Sequence, residues 1–362
     1  MMRLFGSPSR YIQGPGVLGQ IGAIASAIGT RACVIIDDGV REVAGEPIER
    51  SLAKAGVAAL VLPFGGEITY GRIEALAQRG QAGSPALVIA CGGGKALDAG
   101  KGVGTRLRVP TVTVPTIASN DAPTSATYAI YDDTHTMIAT DRMISSPHTV
   151  LVDTWLIANA PAKFLRWGIG DALTKTFEAE GCWAGRGQTP FGTRPLRIGR
   201  VIAEAGYRTL RTHAAAALAA VTRKEVTQDV EATVEACILM SGLGFENGGL
   251  SLAHSMTRGL VKARDAMNAP HGEQVAYGVL VQLAIENRAD AEILDLIGFN
   301  REIGLPVRLA ELGMADPSNA EIDEIARLAM TAPHIPNLAI EIDRTDIAAA
   351  MHRIERLTAD IA

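Results

Sequence analysis

Asp171 in GIGDALTKTFEAE, His254 in GLSLAHSMTRGL and His271 in NAPHGEQVAYG offer one carboxylate and two imidazoles. These are the donor types of a catalytic zinc ion, which takes three protein ligands and leaves a fourth position for water or substrate. Each residue also has a structural reading. Asp171, after two glycines, reads as a helix N-cap at a helix start. His254 lies on an otherwise apolar, small-residue face, as a core histidine bonded to a carbonyl does. His271 stands between Pro270 and the apolar run VAYGVLVQLAI, at the point where a helix begins, and can serve as its cap.

A second group of residues has the pattern of a nucleotide site. ALVIACGGGKALDAGKG reads as a strand, three consecutive glycines and a helix that opens with Lys95 and Asp98. Glycines let the backbone approach a ligand, and the first amides of the helix donate to phosphate, so Gly93, Gly94, Lys95 and Asp98 are candidates to hold a pyrophosphate. The same run is also a plain tight turn. Asp37 and Asp38 close the strand CVIIDD, where an acid can hydrogen-bond ribose hydroxyls and repel a 2′-phosphate, favouring NAD over NADP. This acid precedes the glycines, the reverse of the usual dinucleotide order. A further polar run, Thr116 to Asp133, follows a strand-like VPTVTVPT. Strand ends are where open α/β sheets bind ligands, which makes Thr116, Ser119, Asp121, Ser125 and Tyr131 candidates; Asn120 to Pro123 suit a turn equally well.

These residues need elements to position them. RACVIIDD, VAALVLPF, ALVIACGGG, VPTVTVPT and HTVLVD are continuous apolar runs bounded by Gly, Pro or Asp, the pattern of parallel strands covered on both faces. GEPIERSLAKAG, TYGRIEALAQRG and KALDAGKGVGTRL between them have the spacing of amphipathic helices. The expected fold class is α/β: a Rossmann-like parallel-sheet domain over residues 1–160, then an all-helical domain over 161–362. The pattern changes at APAKF, 160–164, and SNAE at Ser318 to Glu321 is a helix capping box.

Composition narrows the function. A chain of 362 residues, 48% hydrophobic, can bury two domains that meet at a cleft. Its net charge of −5 and lack of any basic run argue against nucleic acid and for a small metabolite as partner. Cys33, Cys91, Cys182 and Cys237 form no CxxC pair, as expected for buried, reduced thiols of a cytoplasmic protein. No secretory leader is visible, and no apolar run approaches the ~18 residues of a membrane span.

Together, GGGKALDAGK, PTIASNDAPTS, GIGDALTKTFEA, the His254 segment and PHGEQVAYG resemble the glycerol dehydrogenase group of the iron-containing, or polyol, dehydrogenase superfamily, over nearly the whole chain. The resemblance implies a dehydroquinate synthase-like fold, NAD, and a metal on Asp171, His254 and His271. It further implies that Asp37 meets the adenosine ribose and that Gly94 to Asp98 cradle the pyrophosphate. Thr116, Ser119, Ser125, Thr127 and Tyr131 match further cofactor contacts, and Asp121 matches a contact to substrate hydroxyls. Relatives assemble as octamers or smaller rings, which implies a homo-oligomer. In the iron-using branch a histidine follows the metal aspartate by four residues; Lys175 stands there, which favours Zn²⁺. Met267, Asn268, Ala269 and Pro270 replace the histidine or aromatic residues that glycerol dehydrogenases often carry before the last ligand. The expected reaction is NAD-dependent, zinc-assisted oxidation of glycerol or a related vicinal diol to dihydroxyacetone or its counterpart. The alternatives are a glycerol-1-phosphate dehydrogenase or dehydroquinate-synthase-like enzyme, with Lys163, Arg166 and Lys175 as the nearby basic groups, and a non-catalytic NAD- or metal-binding protein.

Overall fold

The structure, a computed structural model, describes residues 2–133 and 137–359. The strands are β1 (Arg10–Gly14), β2 (Arg31–Asp37), β3 (Ala58–Phe64), β4 (Leu87–Gly92), β5 (Thr111–Pro115), β6 (Thr127–Tyr131), β7 (Met137–Arg142) and β8 (Thr149–Asp153). Six of them form one sheet in the order β1-β8-β5-β4-β2-β3, with every neighbouring pair parallel. All five expected strands are present, and the apolar runs are explained by the packing. In β2, Ala32, Val34 and Ile36 enter one core while Cys33 and Ile35 enter another on the opposite face. Successive side chains point to opposite faces, so a strand covered on both sides must be apolar throughout.

Helices α1 (Ile21–Ile28) and α2 (Glu46–Lys54) cover the first face, and α3 (Tyr70–Gln81) and α4 (Gly94–Leu107) the second. The chain leaves β2 for α2 on one face and β4 for α4 on the other. Because β2 and β4 are neighbours, the crevice beyond their C-terminal ends is the switch point at which such sheets bind ligands. Three further strands, β1, β6 and β7, are not evident in the sequence pattern. Edge strand β1 is a short, half-exposed RYIQG. The polar run after β5 contains β6, paired antiparallel with β7. Tyr128 and Ile130 point into the core, a period of two inside TYAIY that the surrounding Asp, Ser and Thr residues obscure.

The remaining elements are helical: α5 (Thr154–Asn159), α6 (Ala162–Ala172), α7 (Lys175–Ala184), α8 (Arg197–Thr222), α9 (Gln228–Glu235), α10 (Ser241–Gly248), α11 (Leu252–Ser255), α12 (Thr257–Leu260), α13 (His271–Ile285), α14 (Asp290–Glu302), α15 (Asn319–Ala329) and α16 (Arg344–Ala359). The capping box at the start of α15 forms as the sequence indicates. All four cysteines are buried and free. Among the described residues no helix is long and apolar enough to cross a membrane.

The chain divides into two compact units that are discontinuous in sequence. Residues 6–165 and 219–242 form the sheet unit, and residues 2–5, 166–218 and 243–359 the helical unit. A single cut at 160/161 therefore does not describe the division, because a helical segment returns to the sheet. Side chains anchor it there: Gln13 Nε2 donates to the Glu231 carboxylate at 2.7 Å, the Thr154 hydroxyl donates to the same carboxylate at 2.6 Å, and the Thr124 hydroxyl donates to the Ile238 carbonyl at 2.7 Å.

Candidate active site

Helix α13 is the spine of the helical unit. All but its first and third residues are buried, so it is apolar around its circumference and packs on every side. Two of its glycines set how closely its neighbours approach. A Cβ on Gly272 would sit 1.9 Å from the Trp167 carbonyl oxygen in α6, and one on Gly170 would sit 2.4 Å from the Gly272 carbonyl. Asp171 follows Gly170 and His271 precedes Gly272, so this backbone contact fixes the two side chains relative to each other. A Cβ on Gly278 would lie 2.4 Å from the Ala253 carbonyl, which brings α11 and His254 onto the same spine.

The ligand atoms of Asp171, His254 and His271 all lie within 4.8 Å of one another. His254 Nε2 is 3.1 Å and His271 Nε2 3.7 Å from Asp171 Oδ1. Asp171 is buried, His254 is partly buried with 10% of its side chain exposed, and the His271 side chain is 51% exposed. Asp171 departs from its expected place at a helix start: it is the penultimate residue of α6, and a new helix begins four residues later at Lys175. Of the two preceding glycines, Gly170 marks a close helix contact. His271 is the first residue of α13, as expected.

Glu178, overlooked in the sequence, organises the centre. Its Oε1 accepts the Ser251 and His254 amides, both at 3.0 Å, and its Oε2 accepts His254 Nδ1–H at 2.6 Å. Gln282 Oε1 accepts the Ala253 amide at 3.1 Å. The exposed amides at the start of the short α11 are thus satisfied by side chains of α7 and α13. A carboxylate only accepts hydrogen bonds, so the proton of the neutral His254 ring sits on Nδ1 and the lone pair on Nε2. This is the usual way a metal-binding histidine is oriented. Asp171, Lys175 and Glu178 are spaced i, i+4, i+7, the one sequence signal that links them.

The other candidates lie in the sheet unit, at the C-terminal edge of its strands. Asp37 ends β2 and accepts the Gly39 amide at 2.8 Å. A Cβ on Gly92, at φ +143, would meet the Asp37 Cβ at 2.6 Å, so the acid and the glycine turn touch despite their separation in sequence. Gly93 caps α4 without a side-chain bond, and a Cβ on Gly94 would meet Asn120 at 2.6 Å. The turn is therefore a cradle in which glycines leave room that side chains would crowd. Thr116 follows β5, its amide donating to the Gly92 carbonyl at 3.1 Å, and Ser119 is half-buried beyond it. Ser125 donates to the Thr127 carbonyl at 3.3 Å, and the buried Thr127 hydroxyl has no hydrogen-bond partner among the described residues. Lys95 pairs with Glu67 and lies 6.0 Å from the centroid of the Tyr131 ring. The buried Asp98 carboxylate accepts Lys101 at 3.0 Å and the Ala129 amide at 3.0 Å, so it also ties α4 to β6. Asp121 is buried and accepts the Ser241 hydroxyl at 3.0 Å.

Residues 8–154 match the family model of iron-containing alcohol dehydrogenase. The chain is 40% identical to the glycolaldehyde reductase of Halobacterium salinarum over 99% of its own length and 98% of that protein's. It is 36% identical to the glycerol dehydrogenase of Pseudomonas putida over 91% of its own length and 90% of that protein's. The crystal structure of a probable glycerol dehydrogenase from Sinorhizobium meliloti 1021 superposes with a TM-score of 0.93 at 34% identity, covering all of both chains. This chain belongs to the iron-containing alcohol dehydrogenase family.

As a member of that family it is an oxidoreductase acting on a small-molecule alcohol. Within the dehydrogenase, the electrostatics of the candidate centre follow from its neighbours. Burial alone would raise the Asp171 carboxyl, but the Lys175 ammonium, with the His254 and His271 rings beside it, holds it well below the usual range. Burial likewise works against the Glu178 carboxylate, and His254, through its charge when protonated and through its hydrogen bond, brings it down to about 2. His254 is raised: burial disfavours its charged form and Lys175 opposes it, yet the Glu178 carboxylate outweighs both. Two ionised carboxylates and an oriented imidazole make an electron-rich set of donors. One carboxylate and two imidazoles in mutual reach suit a divalent ion of the zinc type. In the sheet unit, the glycine cradle, the helix N-terminus and the unpartnered Thr127 hydroxyl likewise suit a dinucleotide.

Proposed function

We propose that the chain is an NAD-dependent, zinc-using dehydrogenase that interconverts a short vicinal diol and the corresponding hydroxy-carbonyl compound, with glycerol and dihydroxyacetone as the leading pair. The observation that carries this reading is the convergence of Asp171, His254 and His271 within 4.8 Å. Similarity to a glycolaldehyde reductase and to glycerol dehydrogenases supports the substrate class. Glycolaldehyde and dihydroxyacetone share a carbonyl next to a carbon that bears a hydroxyl, so one set of donors serves both.

Asp171, His254 and His271 would hold the zinc ion, which supplies Lewis acidity to the hydroxyl being oxidised. NAD⁺ is the hydride acceptor. Asp37 binds the adenosine ribose; Gly93, Gly94, Lys95 and Asp98 surround the pyrophosphate, and the α4 amides donate to it. Thr116, Ser119, Ser125, Thr127 and Tyr131 complete the cofactor site. Asp121, held by Ser241, orients a substrate hydroxyl. The sheet unit is thereby the NAD-binding domain and the helical unit the metal- and substrate-binding one. By resemblance the enzyme is a cytoplasmic homo-oligomer, an octamer.

The phosphorylated-substrate alternative has less support. Of the basic groups it would use, Lys175 is engaged by Asp171 at 2.7 Å and Arg166 lies 3.7 Å from Glu273. The test is metal analysis of the purified protein together with NADH formation from glycerol, ethylene glycol, 1,2-propanediol and glycerol 1-phosphate. Zinc with turnover of the unphosphorylated diols is expected; turnover of the phosphate ester alone would overturn the proposal.

A further inference from the structure

Lys175 does more than mark the absence of a fourth ligand. Its side chain is 2% exposed, and its Nζ donates to Asp171 Oδ1 at 2.7 Å and to His254 Nε2 at 3.0 Å. These are two of the three atoms that the proposed function assigns to the zinc ion. The neutral imidazole has a single lone pair on Nε2, so that nitrogen can accept from Lys175 or bind a metal, and cannot do both.

Geometry adds a second conflict. Asp171 Oδ1 and His254 Nε2 are 3.1 Å apart. An ion bonded to both at about 2.1 Å lies within roughly 4 Å of the present Nζ, wherever it sits around the line that joins them. A buried ammonium that close to a divalent cation is strongly repelled. Lys175 is also the first residue of α7, and a helix N-terminus disfavours a cation, so its present position depends on the acceptors around it. The Phe245 ring, with its centroid 5.8 Å from Nζ, offers a second resting place through a cation–π contact.

We propose that the Lys175 ammonium is a built-in cation for this centre: it satisfies Asp171 and His254 in the metal-free protein and must leave both before a divalent ion binds. The inference rests on the metal site proposed above. It makes metal binding readily reversible, and it explains how a buried carboxylate and imidazole stay assembled without an ion.

The test compares Zn²⁺ affinity, by competition with a chromogenic chelator, for the wild-type protein, Lys175→Met, Lys175→Gln and the charge-retaining Lys175→Arg. Met and Gln should bind Zn²⁺ at least about tenfold more tightly than the wild type, a change of about 1.4 kcal/mol. Their metal-free forms should melt at lower temperature than the metal-free wild type and recover on adding Zn²⁺; variants that fold only with Zn²⁺ would also meet the expectation. Arg should remain close to the wild type. Equal or weaker zinc binding by Met and Gln would overturn the inference while leaving the metal site standing. Absence of zinc binding in every form would remove the metal site and the inference with it. A wild-type crystal soaked in zinc chloride gives an answer independent of any variant. Nζ should have moved off both donors, and Nζ still bonded to Asp171 Oδ1 and His254 Nε2 beside a bound ion would overturn the displacement.

Discussion

At the scale of single residues, the centre depends on which nitrogen of His254 carries a proton. Glu178 decides this by accepting from Nδ1 at 2.6 Å. Glu178→Gln retains an oxygen for the Ser251 and His254 amides but turns an NH₂ group toward the ring. That favours the tautomer with its lone pair on Nδ1, which removes the lone pair from Nε2. The expected result is a 10- to 100-fold loss of zinc affinity, roughly the usual effect of removing a partner of a metal ligand, with little change in far-UV circular dichroism. Undiminished affinity would show that Glu178 serves only to cap α11. In the sheet unit, Asp37 touches the glycine turn without closing it. Asp37→Gly should lower the preference for NAD over NADP by roughly tenfold or more, since a hydrogen bond to a charged group is worth about 1.5–3 kcal/mol. The ratio of kcat/KM values for the two cofactors measures it, and an unchanged ratio would place the ribose elsewhere.

At the scale of elements, glycines on helix faces take the part that a side chain takes elsewhere. The contact between Gly170 and Gly272 lets α6 and α13 meet backbone to backbone, and this is what places Asp171 beside His271. Gly272→Ala must push the helices apart, because its Cβ would lie 1.9 Å from a carbonyl oxygen. A loss of about 1–3 kcal/mol is expected from such overpacking, together with weaker zinc binding than the loss of stability alone explains. Chemical denaturation and chelator competition on the same variant separate the two effects. This contact explains why Asp171 lies near the end of α6 and not at a helix start. In the sequence, GIGD looks like a break followed by a cap. In the folded chain those glycines lie inside α6, where tertiary packing outweighs their poor helix propensity. The five buried strands were easier to read, because burial on both faces demands a continuous apolar run and nothing distant alters that requirement. TYAIY was harder, since its alternation spans only five residues within a polar stretch.

At the scale of the whole molecule, the return of residues 219–242 to the sheet unit has a consequence for any attempt to cut the chain. A fragment of residues 1–165 lacks the partners that Glu231, Ile238 and Ser241 give to Gln13, Thr154, Thr124 and Asp121. Such a fragment should be poorly soluble or melt well below the intact protein, and a version with residues 219–242 joined by a flexible linker should recover a cooperative transition in circular dichroism. An equally stable short fragment would show that the segment only decorates the sheet. The sequence by itself determined the sheet, the change to helix near residue 160, the glycine turn with its acid, and the carboxylate and two imidazoles that the fold brings together. Those features follow from local periodicity and from the chemistry of individual residues, which need no partner to be legible. Only the tertiary structure decided that Glu178 orients His254, that Lys175 bonds to both Asp171 and His254, and that a distant helical segment belongs to the sheet. Each of these is a contact between residues remote in sequence or across a break in helix, and its energy depends on burial and on a neighbour that no local pattern can name.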